Sequence, residues 1–238
     1  MMRLPSLWAP LRALRRDAAG LALIEFAYGL PILMALGLGG IEIANFSVTR
    51  MRLSQLGMAV ADNAARVGAS NGLALKKIYE ADIADIFEGA RVQGAQIQFQ
   101  QRGRVILSSL QQNALGSQWI AWQRCFGNKS YTSTFGVAGN GRTDTSFTGM
   151  GPTGNKIAAP ANTGVMFVEI AYDYQAIVEP FAQGLRYFGM RVDNQVLTYR
   201  AAYVVRDPRQ LGVSTATSTA IEDYGLFQSA PAVTRQTC

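Results

Sequence analysis

The sequence predicts an α+β protein in which a long N-terminal transmembrane helix continues into a domain with a second helix and a small antiparallel sheet of about four to five strands. Three observations support this fold class. Residues 18–47 form an apolar stretch that only two charged residues interrupt. Beyond it, apolar residues recur at spacings of three and four, which is typical of a helix. Later segments alternate apolar and polar residues, as strands with one buried face do.

The net charge argues against nucleic acid as a partner. The chain of 238 residues has 22 basic and 16 acidic residues, for a net charge of +6. Four arginines and one aspartate lie in residues 1–20, so the remainder has 18 basic and 15 acidic residues, a surplus of only +3. Nucleic-acid binding needs Lys and Arg clustered on one face. We therefore expect no nucleic-acid partner.

The side-chain inventory disfavours catalysis. The sequence has no histidine and only two cysteines. The lack of histidine excludes Ser-His-Asp and Cys-His nucleophiles and His-ligated zinc. Two cysteines are too few for a Cys-only zinc site or an iron–sulfur cluster. We expect no enzyme activity, and we predict no catalytic residue, metal ligand, cofactor or small-molecule substrate.

The apolar stretch is long enough to cross a lipid bilayer. A spanning helix needs about 20 mostly apolar residues, and residues 21–43 supply them with Glu25 and Glu42 as the only charges. Three arginines precede the span: Arg12, Arg15 and Arg16. Because basic residues beside a span stay in the cytoplasm, we expect a cytoplasmic N-terminus. Everything after the span then lies outside the cytoplasmic membrane.

Three interpretations of this segment compete. A secretory signal would be cleaved near residues 35–37, but the apolar stretch continues past that point and would contain Glu25. A plain signal anchor explains the arginines and the length. It gives Glu25 no role, although a carboxylate in a span is costly and usually marks function. The third interpretation is a prepilin-type signal, because Gly20-Leu21-Ala22-Leu23-Ile24-Glu25-Phe26 follows Arg15-Arg16-Asp17 at the cytoplasmic edge of the span.

The segment resembles the pattern G-x-x-x-x-E-[FY] that prepilin peptidases recognise, and it is most similar to that of TadE-like pseudopilins. The resemblance is most specific over residues 15–40. Further along, similar features occur in the same order: a Trp-containing strand ending in residues 122–127, an aromatic strand ending in residues 172–174, Pro180, and a last strand running into Arg206. The resemblance does not extend to residues 127–164 or to those after 207.

The resemblance implies a minor pilin-like component of a tight-adherence pilus in the bacterial inner membrane. A prepilin peptidase would cut between Gly20 and Leu21, and Glu25 would then pair with the free amine of a neighbouring subunit. The implied partners are the lipid bilayer, that peptidase, and other pilin-like subunits and pilus assembly proteins. The implied organisation is a cytoplasmic leader at 1–20, a transmembrane helix at 21–45, a pilin-like extracytoplasmic domain at 46–207 and a tail at 208–238.

Two helices are expected. An apolar stripe beyond the membrane predicts that the first helix runs over residues 21–67, roughly 70 Å at 1.5 Å per residue. The stripe consists of Leu53, Leu56, Val60, Ala64 and Val67. The alternative is two helices separated near residues 45–49. A second helix is expected over residues 73–88, ending before Gly89, with its charged side chains, Glu80 among them, facing solvent.

Several segments have strand character. Alternation at residues 96–100, a turn at 101–103 and a strand at 104–110 predict a hairpin. Further strands are expected at residues 117–125, 165–174 and 195–206, and a short helix or irregular loop is expected over residues 180–193. The glycines of residues 127–164 follow no apolar strand and open no amphipathic helix, so they do not predict a phosphate site. A long surface loop is expected there, followed at the end of the chain by a tail with little regular structure.

The two cysteines favour a disulfide. The predicted topology places Cys125 and Cys238 in an oxidising compartment, where an even number of cysteines favours pairing. Cys125 ends the Trp-containing strand, and Cys238 lies in a tail that needs anchoring. The alternative is two free thiols, with Cys125 buried as a small apolar side chain.

The rival function is a membrane-tethered extracytoplasmic enzyme or ligand-binding module with an uncleaved anchor. Its candidate residues are Glu169, Asp173 and Glu179, since paired carboxylates can catalyse glycoside hydrolysis. Glu169 and Asp173 have the same parity on one predicted strand and alternate with apolar residues. This pattern predicts that both carboxylates lie on a solvent-exposed face.

Overall fold

The computed structural model describes residues 19–68, 74–215 and 224–238. It is an α+β protein with an antiparallel sheet of four strands, as predicted. The helices are α1 (Ala19–Arg66), α2 (Glu80–Gln93), α3 (Phe99–Arg102) and α4 (Glu179–Leu185), with short 3₁₀ turns at Ala95–Ile97 and Arg186–Phe188. The strands are β1 (Gly103–Gln112), β2 (Gln118–Phe126), β3 (Gly164–Tyr174) and β4 (Gln195–Val204).

The chain forms two compact units. One consists of the described residues up to Asn45 together with Ala176–Asp193. The other consists of Phe46–Gln175 and Asn194–Cys238, and it holds the whole sheet. Helix α1 contributes to both. The boundary therefore separates the apolar part of α1 from the part that carries the predicted apolar stripe.

Helix α1 is one continuous helix of 48 residues, with Pro31 inside it. The alternative of two helices broken near residues 45–49 is therefore wrong. The predicted stripe is confirmed where the sheet lies, because Leu53, Leu56 and Val60 are buried.

The C-terminal end of α1 is capped from the tail. Arg209 donates hydrogen bonds to the backbone oxygens of Ala64 (3.2 Å) and Ala65 (2.7 Å). These are among the last carbonyls of the helix, which have no partner within it. Burial lowers the pKa of Arg209 to about 10. A residue of the predicted unstructured tail thus closes the longest helix.

The second helix begins and ends later than predicted. It spans Glu80–Gln93 rather than residues 73–88. Residues 76 and 79 instead form bridges with Arg209 and Phe227 of the tail, and Asp82 accepts a hydrogen bond from the Tyr79 N–H at the helix start (2.7 Å). Gly89 does not end the helix. It lies on the exposed side of α2, and the chain turns only at Gly94.

Glu80 is buried rather than solvent-facing, so that prediction was also wrong. Its carboxylate forms an ion pair with Arg124 of β2, and Arg235 approaches it at 3.9 Å. The helix periodicity could not show that the tail and β2 cover the first turn of α2.

The prediction of a hairpin at residues 96–110 is wrong for its first strand. Its second strand is β1, but residues 95–102 form a 3₁₀ turn and α3, and Gln98 between them has a left-handed φ of 52°. Ile97 and Phe99 are both buried, which explains their alternation. Phe99 stacks on Phe126 and Tyr172, and the Tyr172 hydroxyl donates to the Ile97 carbonyl (2.7 Å). Two buried positions two residues apart arise here from a turn, not from a strand.

The sheet has the order β2-β1-β3-β4, with every neighbouring pair antiparallel. The three later strands and β1 match the predicted segments to within two residues at each end. The segment between β3 and β4 contains α4 and a 3₁₀ turn, as expected.

Both faces of the sheet are covered. On one face, α1 crosses so closely that a Cβ atom on Gly57 would lie 2.6 Å from the Tyr199 ring and 3.1 Å from Ile170. On the other face, residues 127–164 cover the sheet. Phe135 of this segment packs on Phe167 of β3 at 5.7 Å between ring centroids.

Residues 127–164 are irregular, as predicted, but they are not merely a surface loop. Met150 and Ala159 are buried against Phe167 and other sheet residues. Met150 and Ile157 form a bridge, and Gly149 reaches it with a φ of 137°; a Cβ at Gly149 would lie 2.3 Å from the Ile157 oxygen. The glycines serve tight turns that let this segment lie flat on the sheet.

The predicted disulfide is present. Cys125 and Cys238 are bonded, with their Cα atoms 4.9 Å apart and a sequence separation of 113 residues. The Cys125 N–H also donates to the Gln236 carbonyl (2.8 Å). The bond therefore fixes the end of the tail beside β2, and the alternative of two free thiols is wrong.

Candidate functional site

The apolar part of α1 is the most unusual surface of the molecule. Within the described residues, α1 is one helix that is long and apolar enough to cross a membrane, and none of its most apolar stretch is buried by the protein. Leu23, Phe26 and Tyr28 are each more than 60% exposed. A helix that is apolar on all sides and exposed in the monomer requires a lipid or helical environment.

The four predicted processing residues lie in the first two turns of this surface. Gly20, Leu21, Glu25 and Phe26 are all exposed. Apart from its chain neighbours and the nearby helix backbone, no heavy atom of the described residues lies within 4 Å of the position that a Cβ would take at Gly20. The bond between Gly20 and Leu21 lies within the first turn of α1 that the structure describes. Arg12, Arg15 and Arg16 lie outside the described residues.

The two carboxylates of the apolar stretch have opposite surroundings. Glu42 is fully buried, and its carboxylate accepts hydrogen bonds from the backbone N–H groups of Ile177 and Val178, each at 2.9 Å. These two residues precede α4, so Glu42 satisfies N–H groups at the start of that helix. Glu25 is exposed, and within the described part of the chain it forms no hydrogen bond or ion pair. Only Glu25 faces outward from the apolar surface.

The role of Glu42 was missed by sequence reasoning. The signal was present, because a carboxylate at the end of an apolar span needs a partner. Its partners are backbone groups 135 and 136 residues away, which no local pattern identifies.

The carboxylates of the rival interpretation do not form a pair. Glu169 is buried, which contradicts the predicted solvent face, because residues 127–164 cover it. It accepts hydrogen bonds from the Ser133 hydroxyl and from the backbone and hydroxyl of Thr134 (both 3.2 Å). Burial raises the pKa of Glu169, while these hydrogen bonds and Arg200 oppose the rise.

The other two candidates have separate partners. Asp173 forms an ion pair with Lys129 at 2.5 Å. Glu179 begins α4 and accepts a hydrogen bond from Gln183 at 3.3 Å. Glu169 and Asp173 are four residues apart on β3, about 13 Å along a strand, whereas glycosidase carboxylates lie about 5 to 9.5 Å apart. Glu169 and Asp173 instead both bind the 127–164 segment to the sheet.

A cavity of about 520 Å³ lies beside the disulfide. Arg104 and Arg124 line it, and both guanidinium groups contact protein groups: Arg104 the Gly127 carbonyl at 3.1 Å, and Arg124 the carboxylate of Glu80. Across residues 19–68, 74–215 and 224–238, no cluster of three or more His, Cys, Asp or Glu residues can hold a metal ion.

Comparison of the chain with protein-family models, with curated proteins and with solved structures gives no match.

Proposed function

We propose that this protein is a pseudopilin-like structural or assembly component of a tight-adherence type pilus, matured by a prepilin peptidase. The observation that carries the proposal is the position of Gly20, Glu25 and Phe26 at the start of the exposed apolar stretch of α1, in which Glu25 is the only charged residue before Glu42. This is the arrangement that the resemblance to TadE-like pseudopilins requires.

The exposed carboxylate supports an assembly role. Leu21 and Glu25 are four residues apart and therefore lie on the same face of α1. Cleavage after Gly20 would create a free amine on Leu21 of each subunit. An amine of one subunit beside Glu25 of another neutralises a carboxylate that is costly in lipid, so helix association would be favoured.

The proposed topology has a cytoplasmic N-terminus, a single pass through the bacterial inner membrane and an extracytoplasmic domain. The disulfide between Cys125 and Cys238 supports this placement, because disulfides persist in oxidising compartments and are rare in the cytoplasm. The proposed partners are the bilayer, the peptidase and other pilin-like subunits or assembly proteins. In this role the protein is not an enzyme.

Processing is the direct test. In cells that express the peptidase, intact-mass analysis should find a mature N-terminus at Leu21. Gly20→Arg should retain the leader while the protein still inserts, because the apolar stretch is unchanged. The control is Gly89→Arg, the same substitution at an exposed helical glycine with open space around it, which should be processed normally. A mature start near residue 38, or an uncleaved wild-type chain, would contradict the proposal.

The role of Glu25 is tested separately. We expect Glu25→Ala to leave insertion intact, since an apolar side chain replaces a costly carboxylate, but to abolish pilus assembly or subunit association. Leu23→Ala, a neighbouring exposed position on α1, is the control and should assemble. Piliation is scored by electron microscopy, and association by crosslinking. Normal pili from the Glu25→Ala strain would show that the charge-pairing role is wrong.

A further inference from the structure

The segment between β3 and β4, residues 176–193, is called here the connector. It belongs to the same compact unit as the apolar part of α1. Glu42 fixes its first residues through the hydrogen bonds to Ile177 and Val178. Gly39 is buried beneath Leu185, whose Cδ2 would lie 3.9 Å from a Cβ at Gly39. The connector is therefore attached to α1 at the end of its apolar stretch.

The position of this attachment along α1 defines its level in a bilayer. From Leu21 to Glu42 the helix rises about 32 Å at 1.5 Å per residue. The hydrocarbon core of a bilayer is about 30 Å thick. If Leu21 lies at one edge of that core, Glu42 lies at the other, and the connector is at the level of the lipid headgroups.

The connector has large apolar side chains that the rest of its own unit leaves exposed. Tyr187 is 93% exposed, Phe188 80% and Ile177 65%. Arg186 and Arg191 flank the aromatic pair in sequence, and Arg186 pairs with Asp193 at 3.2 Å. Tyrosine side chains are enriched where a protein meets the boundary between lipid tails and water, and long arginine side chains near the end of a span can extend to the lipid headgroups. Phe188 there would bury its ring among acyl chains, and the Tyr187 hydroxyl would stay at the polar surface.

We propose that the connector is a second membrane contact, which inserts Tyr187 and Phe188 into the lipid interface of the leaflet from which the domain emerges. The partner is the phospholipid surface itself, since Glu42 and Gly39 attach the connector to α1 at the end of its apolar stretch. The proposal rests on the membrane anchoring of the proposed function. It extends that function by giving the protein two attachments to the membrane instead of the helix alone.

Lipid-depth quenching of a fluorophore tests this on the full chain in phosphatidylcholine–phosphatidylglycerol vesicles. Cys125 and Cys238 are disulfide-bonded, so a single introduced cysteine can be labelled selectively. The three labelled variants are Met190→Cys in the connector, Ile32→Cys in the apolar stretch and Leu115→Cys, an exposed apolar position of the other unit. Lipids carrying a nitroxide near the headgroup or deep in the acyl chain serve as quenchers.

The label at 190 should be quenched most by the shallow nitroxide, the label at 32 most by the deep one, and the label at 115 by neither. Absence of quenching at 32 would mean that the anchor itself, and with it the proposed function, has failed. If the label at 32 is quenched but the label at 190 behaves like the one at 115, only the connector proposal is overturned. Equal shallow quenching at 190 and 115 would also overturn it, because the contact would not be specific to the connector.

A second comparison assigns the contact to the two aromatic rings. Tyr187→Ser/Phe188→Ser should reduce shallow quenching at 190 several-fold and leave deep quenching at 32 unchanged. The matched control is Leu115→Ser/Val137→Ser, which removes two exposed apolar side chains from the other unit and should change neither value. Unchanged quenching at 190 in the aromatic double variant would contradict the proposal.

Discussion

At the scale of single residues, Glu169 shows how a distant segment decides the environment of a side chain. Its alternation with apolar neighbours on β3 predicts a solvent-exposed face. The structure places Ser133 and Thr134 over it, so the carboxylate is buried and its pKa is raised by that burial. A raised pKa means that the folded protein binds this proton more tightly than the unfolded chain does.

The stability contributed by Glu169 should therefore depend on pH. It is fully present below the unfolded pKa of about 4.3 and is lost as pH rises through the higher folded pKa. We expect the difference in Tm between wild type and Glu169→Gln to be more favourable to wild type at pH 4 than at pH 7.

The control variant should show the opposite dependence of stability on pH. Glu88 is exposed, and its hydrogen bond with Arg91 lowers its pKa, so its stabilisation is present above the unfolded pKa and lost as pH falls. The same substitution, Glu88→Gln, should favour wild type more at pH 7 than at pH 4. Differential scanning fluorimetry of the detergent-solubilised chain measures both. A pH-independent difference for Glu169→Gln would contradict the assigned burial.

At the scale of elements, the contact of α1 with the sheet depends on one glycine. Gly57 allows the helix backbone to approach the Tyr199 ring so closely that a Cβ atom would require the ring to move, and a Cβ atom would also crowd Ile170. Gly89 in α2 is also helical but has no atom within 4 Å of a Cβ position. Helix propensity alone assigns both glycines the same cost of about 1 kcal/mol relative to alanine.

The same substitution should therefore have opposite effects at these two glycines. Gly57→Leu forces the helix away from the sheet and should lower the free energy of unfolding by about 1 to 3 kcal/mol or more. Gly89→Leu should raise it by up to about 1 kcal/mol, because leucine is a good helix former on an open surface. Chemical denaturation of both variants provides the comparison. A neutral or stabilising Gly57→Leu would mean that α1 does not pack as described.

At the scale of the whole molecule, the tail closes the fold. Its residues cap α1 through Arg209, bridge to residues 76 and 79, and end in the disulfide to β2. Cys125→Ser/Cys238→Ser should lower the free energy of unfolding by about 2 to 5 kcal/mol, near the value that chain entropy gives for a loop of this size. Protease cleavage between residues 224 and 238 should become faster.

Reduction of the wild-type protein is the matching control and should shift the denaturation midpoint toward that of the double variant. Non-reducing peptide mapping should recover one peptide pair that contains both cysteines. Equal midpoints for the oxidised wild type and the double variant would contradict a stabilising bond.

Sequence patterns predicted the α+β class, the continuous first helix, all four strands to within two residues of their ends, and the cysteine pair. These features follow from local causes: an apolar run, a period of 3.6 or 2, and a count of two cysteines. The same local information located Gly20 and Glu25 on one apolar helix, where the structure leaves both exposed.

Only the tertiary structure decided what covers each surface. Two buried residues on a turn imitate a strand at residues 97–99, and tail residues 209 and 227 delay the start of α2. The 127–164 segment buries Glu169, and the connector buries Glu42. In each case the residue that decides the outcome lies more than thirty residues away in sequence or competes with a local pattern. Periodicity shows only that an element has an apolar face. Burial depends on which distant segment packs on that face and displaces water from it.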